Sequence, residues 1–121
     1  MTFEERKEQV KSYLGKTVTI GIDRPIGYVH KKENYSLTYP INYGYIPDVL
    51  GGDGEELDVY LLGVREPVTE YECVIIAIAH RHNDVEDKLV GAPFGINFSK
   101  EEIADAIRFQ EQYYDTEMEV L

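Results

Sequence analysis

The sequence is short of basic residues, of cysteine and of long apolar stretches. Its 121 residues hold one cysteine, no tryptophan, and 12 Lys and Arg against 23 Asp and Glu, which gives a formal charge of -11. Nucleic acids are bound through a surplus of Lys and Arg, so this balance argues against a nucleic-acid partner. Cys73 has no second cysteine with which to form an internal disulfide. A reduced, cytoplasmic setting is therefore the expectation.

Membrane insertion is not indicated either. The longest apolar run, 73–79, is far shorter than the roughly 20 residues that a transmembrane helix needs. The first residues, 1–7, carry charges with no apolar run behind them, so no secretory signal is predicted. We expect no membrane partner.

The composition is that of a folded domain. A hydrophobic share of 43% with 12% aromatic residues is enough to pack one core. The length suits one domain, and no repeat, low-complexity tract or linker divides the chain. Residues 1–121 are thus expected to form a single domain.

Two helices and several short strands are predicted. A capping box of Thr2 and Glu5 opens a helix that ends at Gly15, and a second box of Ser99 and Glu102 opens another. Between them lie the β-type runs 17–22, 27–31, 35–39, 57–62, 72–80 and 88–90. This order predicts an α+β chain with a mainly antiparallel sheet, curled into a small barrel between an N-terminal and a C-terminal helix.

The segment 51–60, GGDGEELDVY, is an acidic, glycine-rich turn that runs into a strand. Its glycines allow a tight turn that brings Asp53, Glu55 and Asp58 close together. A carboxylate in mid-strand beside like charges is costly unless a cation neutralises it. From the pattern alone, an acidic surface turn and a divalent-metal site both remain open.

The neighbouring segment favours the metal site. Residues 39–46 read YPINYGYI, and residues 53–58 read DGEELD. In this order the two motifs resemble the signature region of Family I soluble inorganic pyrophosphatases. Asp53 and Asp58 match the first and last Asp of the acidic signature, and Glu55 replaces the Asp at its third position. The resemblance implies an OB-like barrel in which Mg²⁺, or another divalent ion such as Mn²⁺, holds pyrophosphate and activates a water.

A third segment, 83–90, reads NDVEDKLV and resembles the second acidic loop of the family. In a gapped alignment Asp84 matches the first carboxylate of that loop. Glu86, two residues before Lys88, or its neighbour Asp87 stands for the second. In an ungapped alignment Arg81 falls at the first position instead, and one metal ligand is lost.

The resemblance also assigns roles to single residues. The metal ligands would be Asp53, Asp58, Asp84 and either Glu86 or Asp87. Glu55 would accept or steer the proton of the attacking water, which places it with Asp58 and Tyr43 in the catalytic group. The phosphate contacts would be Lys88, Tyr43, Tyr113 and Lys31.

The chain departs from the family in its cations. Gly21, Gly27 and Lys31 stand loosely where the family has a metal-binding Glu and a phosphate-binding Lys and Arg. Asp23, Arg24 and Lys32 lie nearby as candidate substitutes, and Tyr114 occupies the place of a further family Lys. The acidic half of the site is nearly complete, whereas the cationic half is thinned.

Three functions follow as hypotheses. The first is Mg²⁺-dependent hydrolysis of inorganic pyrophosphate to two phosphates. The second is hydrolysis of another phosphoanhydride, such as a nucleotide polyphosphate, and the third is a non-catalytic barrel that binds metal. Soluble members of the family are usually oligomeric, which makes a homo-oligomer a further expectation.

Overall fold

The computed structural model of the chain describes residues 2–51, 54–82 and 86–121. Within them lie two helices and eight strands. They are α1 (Phe3–Ser12), β1 (Thr17–Arg24), β2 (Val29–Lys31), β3 (Ser36–Thr38), β4 (Asn42–Leu50), β5 (Glu56–Leu61), β6 (Glu70–Arg81), β7 (Lys88–Ala92), α2 (Lys100–Glu111) and β8 (Thr116–Val120). No helix among these residues is long and apolar enough to cross a membrane.

Five of the strands close into a barrel. They are hydrogen-bonded in the order β1-β4-β5-β7-β6, and β6 pairs back onto β1. Only β5 and β7 run parallel among the described pairs of this sheet; the remaining pairs are antiparallel. The predicted α+β, OB-like, mainly antiparallel barrel with a helix near each end is confirmed.

Strand β6 is long enough to serve two partners along one edge. Its first half pairs with β1, where Val74 lies opposite Thr17, and its second half pairs with β8, where Ala77 lies opposite Val120. The last strand therefore extends the sheet beyond the barrel. The β2–β3 hairpin forms a separate two-stranded sheet.

Two strands were missing from the sequence prediction, and one was cut short. Strand β4 contains Gly44 and Pro47, residue types that are depleted in strands, and β8 lies in a highly charged segment after α2. Strand β1 continues to Arg24, through Asp23, where the sequence had indicated a turn. Pairing with neighbouring strands overrides the local preferences in β4, in β8 and at the end of β1.

Side chains form one core inside the barrel and another beneath α2. The inner core includes Leu57, Val59 and Ile75, and Val10 of α1 packs against it. The outer core contains Ile103 and Ile107 of α2. The members of the two cores alternate along β5, as the pleat of a strand requires. One barrel wall is therefore covered on both sides, and Arg81 of β6 and Lys88 of β7 are charged side chains buried in it.

Two members of the YPINYGYI segment, Asn42 and Gly44, fix its geometry. Asn42 is fully buried, donates from Nδ2 to the carbonyl of Glu66 at 3.0 Å and accepts from the N–H of Ile26 at 3.1 Å. Gly44 lies so close to β1 that a Cβ atom would come within 1.8 Å of the carbonyl oxygen of Gly21. These contacts fix β4 across β1 and so fix the position of Tyr43.

Candidate active site

An acidic pocket of about 380 Å³ opens beside β1 and β5. Its lining consists of Asp23, Tyr45, Glu55, Glu56 and Asp58. Four of these five residues are carboxylic acids. Glu55 and Asp58, two of the predicted site residues, are thus brought together with Asp23, which the sequence had offered as a substitute.

Local backbone geometry assembles this pocket. The pairing of β1 with β4 shifts between Ile22 and Arg24, a bulge that leaves Asp23 without a partner in the register. Bulges of this kind re-aim side chains. The turn before β5 is closed by a bond from the N–H of Gly51 to the carbonyl of Glu55 at 2.8 Å, and Gly54 supplies a φ of 84°.

The acidic pocket carries unbalanced negative charge. Burial raises the pKa of the Asp23 carboxyl above its usual value, and the charges of Asp58 and Glu56 raise it further. Carboxylate oxygens are the ligands that Mg²⁺ prefers. Among the described residues no three His, Cys, Asp or Glu side chains are grouped closely enough to form a metal site by themselves. Asp53 and Asp84, two predicted ligands, lie outside the described residues.

Lys88 connects the two predicted acidic segments. Its side chain is 3% exposed, and its Nζ atom lies 2.5 Å from Oδ2 of Asp58 and also forms an ion pair with Glu86. A buried ammonium group needs such partners, because removing a charge from water is costly. The structure therefore brings Asp58, Glu86 and Lys88 into one cluster.

Tyr43 lies at the edge of this cluster. Its hydroxyl is hydrogen-bonded with the Asp58 carboxylate, and the Nζ atom of Lys88 lies 5.6 Å from the centre of its ring. Burial, followed by the charge of Asp58, raises the pKa of the Tyr43 hydroxyl well above its usual value. Tyr43 therefore remains a neutral hydrogen-bond donor at any physiological pH.

Asp87, the alternative to Glu86, contacts different elements. Its carboxylate accepts from Nζ of Lys7 at 2.8 Å, contacts Nδ1 of His80 at 3.1 Å and accepts from the backbone N–H of Arg81 at 3.3 Å. It is 2% exposed. These contacts direct Asp87 towards α1 and β6, whereas its neighbour Glu86 reaches Lys88.

A second pocket, of about 70 Å³, lies between the β2–β3 hairpin and the end of α2. No carboxylic acid is among its described lining residues. They are Arg24, His30, Lys32, Tyr35, Leu37, Tyr39, Gln110, Tyr113 and Tyr114. We call it the basic pocket, because three of its side chains are bases in a chain whose net charge is -11.

Arg24 is the base most firmly held in the basic pocket. Its guanidinium group lies 5.3 to 5.8 Å from the ring centres of Tyr28, Tyr39 and Tyr43 and hydrogen-bonds to the hydroxyl of Tyr39. That hydroxyl donates in turn to Oε1 of Gln110 at 2.9 Å. Aromatic faces stabilise a cation at this distance. Arg24 is therefore held rigidly where an anion can approach it.

Of the other two bases, Lys32 adds positive charge to the basic pocket, whereas His30 is shifted towards its neutral form. Slight burial, together with the charges of Arg24 and Lys32, lowers the pKa of His30 below its usual value. Lys31, the predicted phosphate contact, is exposed on β2 and does not line the pocket, whereas Lys32 does. Tyr113 lines the pocket as well, with its ring centre 6.0 Å from that of Tyr35.

A buried ion pair lies between the Lys88 cluster and the basic pocket, and no sequence motif indicated it. Arg81 donates to Glu111 from Nε at 3.0 Å and from Nη2 at 2.5 Å, and its guanidinium carbon lies 3.7 Å from the ring centre of Tyr114. Its Nη1 atom is 3.9 Å from Oε2 of Glu86. Arg81 thus contacts a residue of the Lys88 cluster and a residue of the basic pocket.

Glu111 is stabilised as an anion inside the fold. Burial alone would raise its pKa, but hydrogen bonds from Arg81 and Tyr60 outweigh burial and lower it. Tyr60 donates to Oε2 at 2.5 Å and Thr116 donates to Oε1 at 2.8 Å. One signal was available in the sequence: Glu111 falls at the i+4 position after Ile107, on the apolar face of α2.

Known proteins give an independent view of the chain. A family model described as inorganic pyrophosphatase matches residues 10–116. The inorganic pyrophosphatase of Rickettsia prowazekii is 28% identical over 83 residues, which cover 57% of this chain and 48% of that protein. The inorganic pyrophosphatase of Mesorhizobium japonicum is 28% identical over 87 residues, covering 65% of this chain and 48% of that one.

Solved structures agree in fold. The inorganic pyrophosphatase of Ehrlichia chaffeensis superimposes with a TM-score of 0.66 at 19% identity, covering 88% of this chain and 87% of that one. The structure from Coxiella burnetii gives 0.61 at 18% identity, covering 88% and 84%.

The chain spans about half the length of these curated relatives. The match to the family model nevertheless includes every site residue described above from Asp23 to Tyr114. The barrel, the two ordered motifs and the Lys88 cluster all lie within that match. The chain belongs to the inorganic pyrophosphatase family.

Proposed function

We propose that the protein hydrolyses inorganic pyrophosphate to two phosphates in the presence of Mg²⁺. One observation carries the proposal: Tyr43 contacts both Asp58 of the carboxylate-lined pocket and Arg24 of the cation-lined pocket. Hydrolysis of pyrophosphate needs both, because metal ions require oxygen ligands and the substrate requires cations.

The acidic pocket fits a divalent metal. Burial, and then the charges of Asp58 and Glu56, raise the pKa of Asp23, and a bound cation would stabilise the carboxylates against both effects. Asp58 and Glu86 would hold the metal, together with Asp53 and Asp84 as the family resemblance implies. Asp87 is not included, because its oxygens already contact Lys7, His80 and Arg81. When bound, divalent ions lower the pKa of water and neutralise phosphoryl oxygens.

Glu55 would take a proton from the attacking water. Its side chain is exposed at the rim of the acidic pocket, on the turn that precedes β5. A carboxylate that reaches into such a pocket can accept or steer a proton without being a metal ligand itself.

Cations and hydroxyls would bind the phosphoryl groups. Lys88 and Tyr43 lie beside Asp58, where a phosphoryl group bound to the metal would rest. Arg24 and Lys32, with the hydroxyl of Tyr113, line the adjoining basic pocket. These two bases take the place of the cations that the family supplies from other positions. Donors held in position in this way stabilise the charge that builds on the phosphoryl oxygens.

The test is phosphate release from pyrophosphate with and without Mg²⁺. The Asp58→Asn variant should lose about 1,000-fold or more in rate, since it removes both a metal ligand and the partner of Lys88. Asp105→Asn is the matched control, because Asp105 is 65% exposed on α2 and pairs only with Arg108 among the described side chains. Unchanged turnover in Asp58→Asn would contradict the proposal.

A second candidate substrate is a nucleotide polyphosphate. The rings of Tyr35 and Tyr113 are 49% and 57% exposed beside the basic pocket, where an aromatic base can stack on them. Faster phosphate release from a nucleoside diphosphate or triphosphate than from pyrophosphate, in the same assay, would favour this candidate. Binding of Mg²⁺ without phosphate release from either compound would leave a non-catalytic metal-binding barrel.

A further inference from the structure

In the sequence, Asp87 stands between Glu86 and Lys88 of the proposed active site. Its side chain lines neither the acidic nor the basic pocket. We infer that Asp87 is a positioning residue: an ion pair with Lys7 and a hydrogen bond with His80 anchor its carboxylate, and this anchoring directs Glu86 and Lys88 towards Asp58. The inference rests on the proposed function, because it assigns Asp87 a part in that reaction.

Three contacts from two elements hold the Asp87 carboxylate. Lys7 of α1 donates to Oδ1 at 2.8 Å, His80 of β6 contacts Oδ2 at 3.1 Å, and the backbone N–H of Arg81 donates to Oδ1 at 3.3 Å. The carboxylate is 2% exposed, so water does not compete for these bonds. Both oxygens are engaged, which leaves the side chain one orientation.

His80 is itself fixed on its other side. Its Nε2 atom lies 2.9 Å from Oε1 of Glu119 on β8, so the imidazole bridges two carboxylates. A chain of contacts therefore runs from Lys7 through Asp87 and His80 to Glu119. It connects α1, the start of β7, β6 and β8.

The neighbours of Asp87 lie on the other side of the backbone. Successive side chains in an extended segment point in opposite directions. Accordingly, Glu86 and Lys88 pair with each other, and Lys88 reaches Asp58. If the carboxylate of Asp87 were released, the backbone from 86 to 88 could rotate, and the ammonium group of Lys88 would move away from Asp58.

The same geometry separates positioning from metal binding. A ligand substitution weakens metal affinity, whereas a misplaced cation slows turnover at unchanged metal affinity. Lys7 offers the cleanest probe, because it is 29% exposed on α1 and contacts Asp87 from outside the site. Lys11 lies one helical turn further on. It lines the same surface pocket as Lys7, between α1, β6 and β8, and is the matched control.

The experiment compares Lys7→Met, Lys7→Arg, Lys11→Met and Asp87→Asn. Lys7→Met should lower kcat for pyrophosphate about 10-fold, and Asp87→Asn about 100-fold, with KM and the Mg²⁺ concentration for half-maximal rate within about twofold of wild type. Lys7→Arg should restore most of the rate, and Lys11→Met should leave it unchanged. The double variant Lys7→Met/Asp87→Asn should be no slower than Asp87→Asn alone, because both changes remove one contact.

A second readout does not depend on turnover. In two-dimensional NMR spectra of the ¹⁵N-labelled protein, Lys7→Met should shift the backbone amide signals of Glu86 and Lys88, and Lys11→Met should not. If wild type releases no phosphate, the proposed function fails while the NMR comparison still tests the anchoring. Equal spectra and equal rates for Lys7→Met and Lys11→Met would overturn the inference, as would a large rise in the Mg²⁺ requirement of Asp87→Asn.

Discussion

The acidic pocket and the basic pocket begin from adjacent residues of one strand. Asp23 lines the first and Arg24 lines the second, although they are neighbours on β1. The bulge at this point and the alternation of side chains along the strand separate them. The net charge of -11 therefore describes neither pocket, because Arg24, His30 and Lys32 line the basic pocket while Lys88 pairs with Asp58 of the acidic one.

The two pockets also differ in how firmly they are built. The acidic pocket is wide, about 380 Å³, and its charges are unbalanced. The basic pocket is about 70 Å³, and Arg24 is already held there by tyrosine rings and a hydroxyl. The difference suggests that the acidic side is completed by a metal ion, whereas the basic side is organised before a ligand arrives.

The largest expected effect on stability comes from the buried Arg81–Glu111 ion pair. Glu111→Gln leaves the buried guanidinium of Arg81 without its anion, so we expect a loss of about 3 kcal/mol in the free energy of unfolding at pH 7. Urea unfolding of both proteins measures it. A change below about 0.5 kcal/mol would show that the pair does not hold the two pockets in place.

The same variant gives a pH prediction. Because the pKa of Glu111 is lowered in the folded state, its ionisation stabilises the fold above its unfolded pKa of about 4.3. That stabilisation is lost as the pH falls through the lower, folded pKa. The stability difference between wild type and Glu111→Gln should thus be full at pH 7 and shrink below about pH 4.

The next effect tests the basic pocket. Arg24→Met removes a charged donor near the substrate, so kcat/KM for pyrophosphate should fall about 30-fold. The Mg²⁺ concentration for half-maximal rate should stay unchanged, because Arg24 lies outside the acidic pocket. Steady-state kinetics at several Mg²⁺ concentrations separate the two quantities. Lys16→Met, on a base that stacks on Tyr13 rather than on the site tyrosines, is the control.

The smallest effect tests the acidic pocket. Asp23→Asn removes one charge of a partly exposed cluster, so Mg²⁺ affinity should weaken about 4-fold, while the KM for pyrophosphate at saturating Mg²⁺ should not change. Calorimetric titration with Mg²⁺ measures this. Together with Arg24→Met it forms a crossed pair. If both variants altered the same parameter, the separation of the two pockets would be wrong.

Much of the fold was accessible from the sequence, because its signals are local. Both capping boxes are present, at Thr2 with Glu5 and at Ser99 with Glu102, and each opens a helix. Strands β4 and β8 were missed, since their pairing depends on partners far along the chain. Cys73 lies in the inner core, where burial raises the pKa of its thiol to about 12.

The sequence motifs indicated which candidate side chains lie close together. They did not indicate contacts between side chains of different helices and strands. Tyr43, Asp58, Glu86 and Lys88 come from recognisable segments, and the fold places them together. The side chains of Asp87 and Glu86 have different partners because Lys7 of α1 reaches Asp87. No local sequence pattern indicates that contact.

The acidic and the basic pocket are proposed to hold one pyrophosphate together. The most direct test of this proposal is the rate of phosphate release from pyrophosphate by the wild-type chain as Mg²⁺ is raised from zero. The account predicts no release without the metal and a saturable, Mg²⁺-dependent rate that Asp58→Asn abolishes. Release that is independent of divalent metal, or none at any Mg²⁺ concentration, would contradict it.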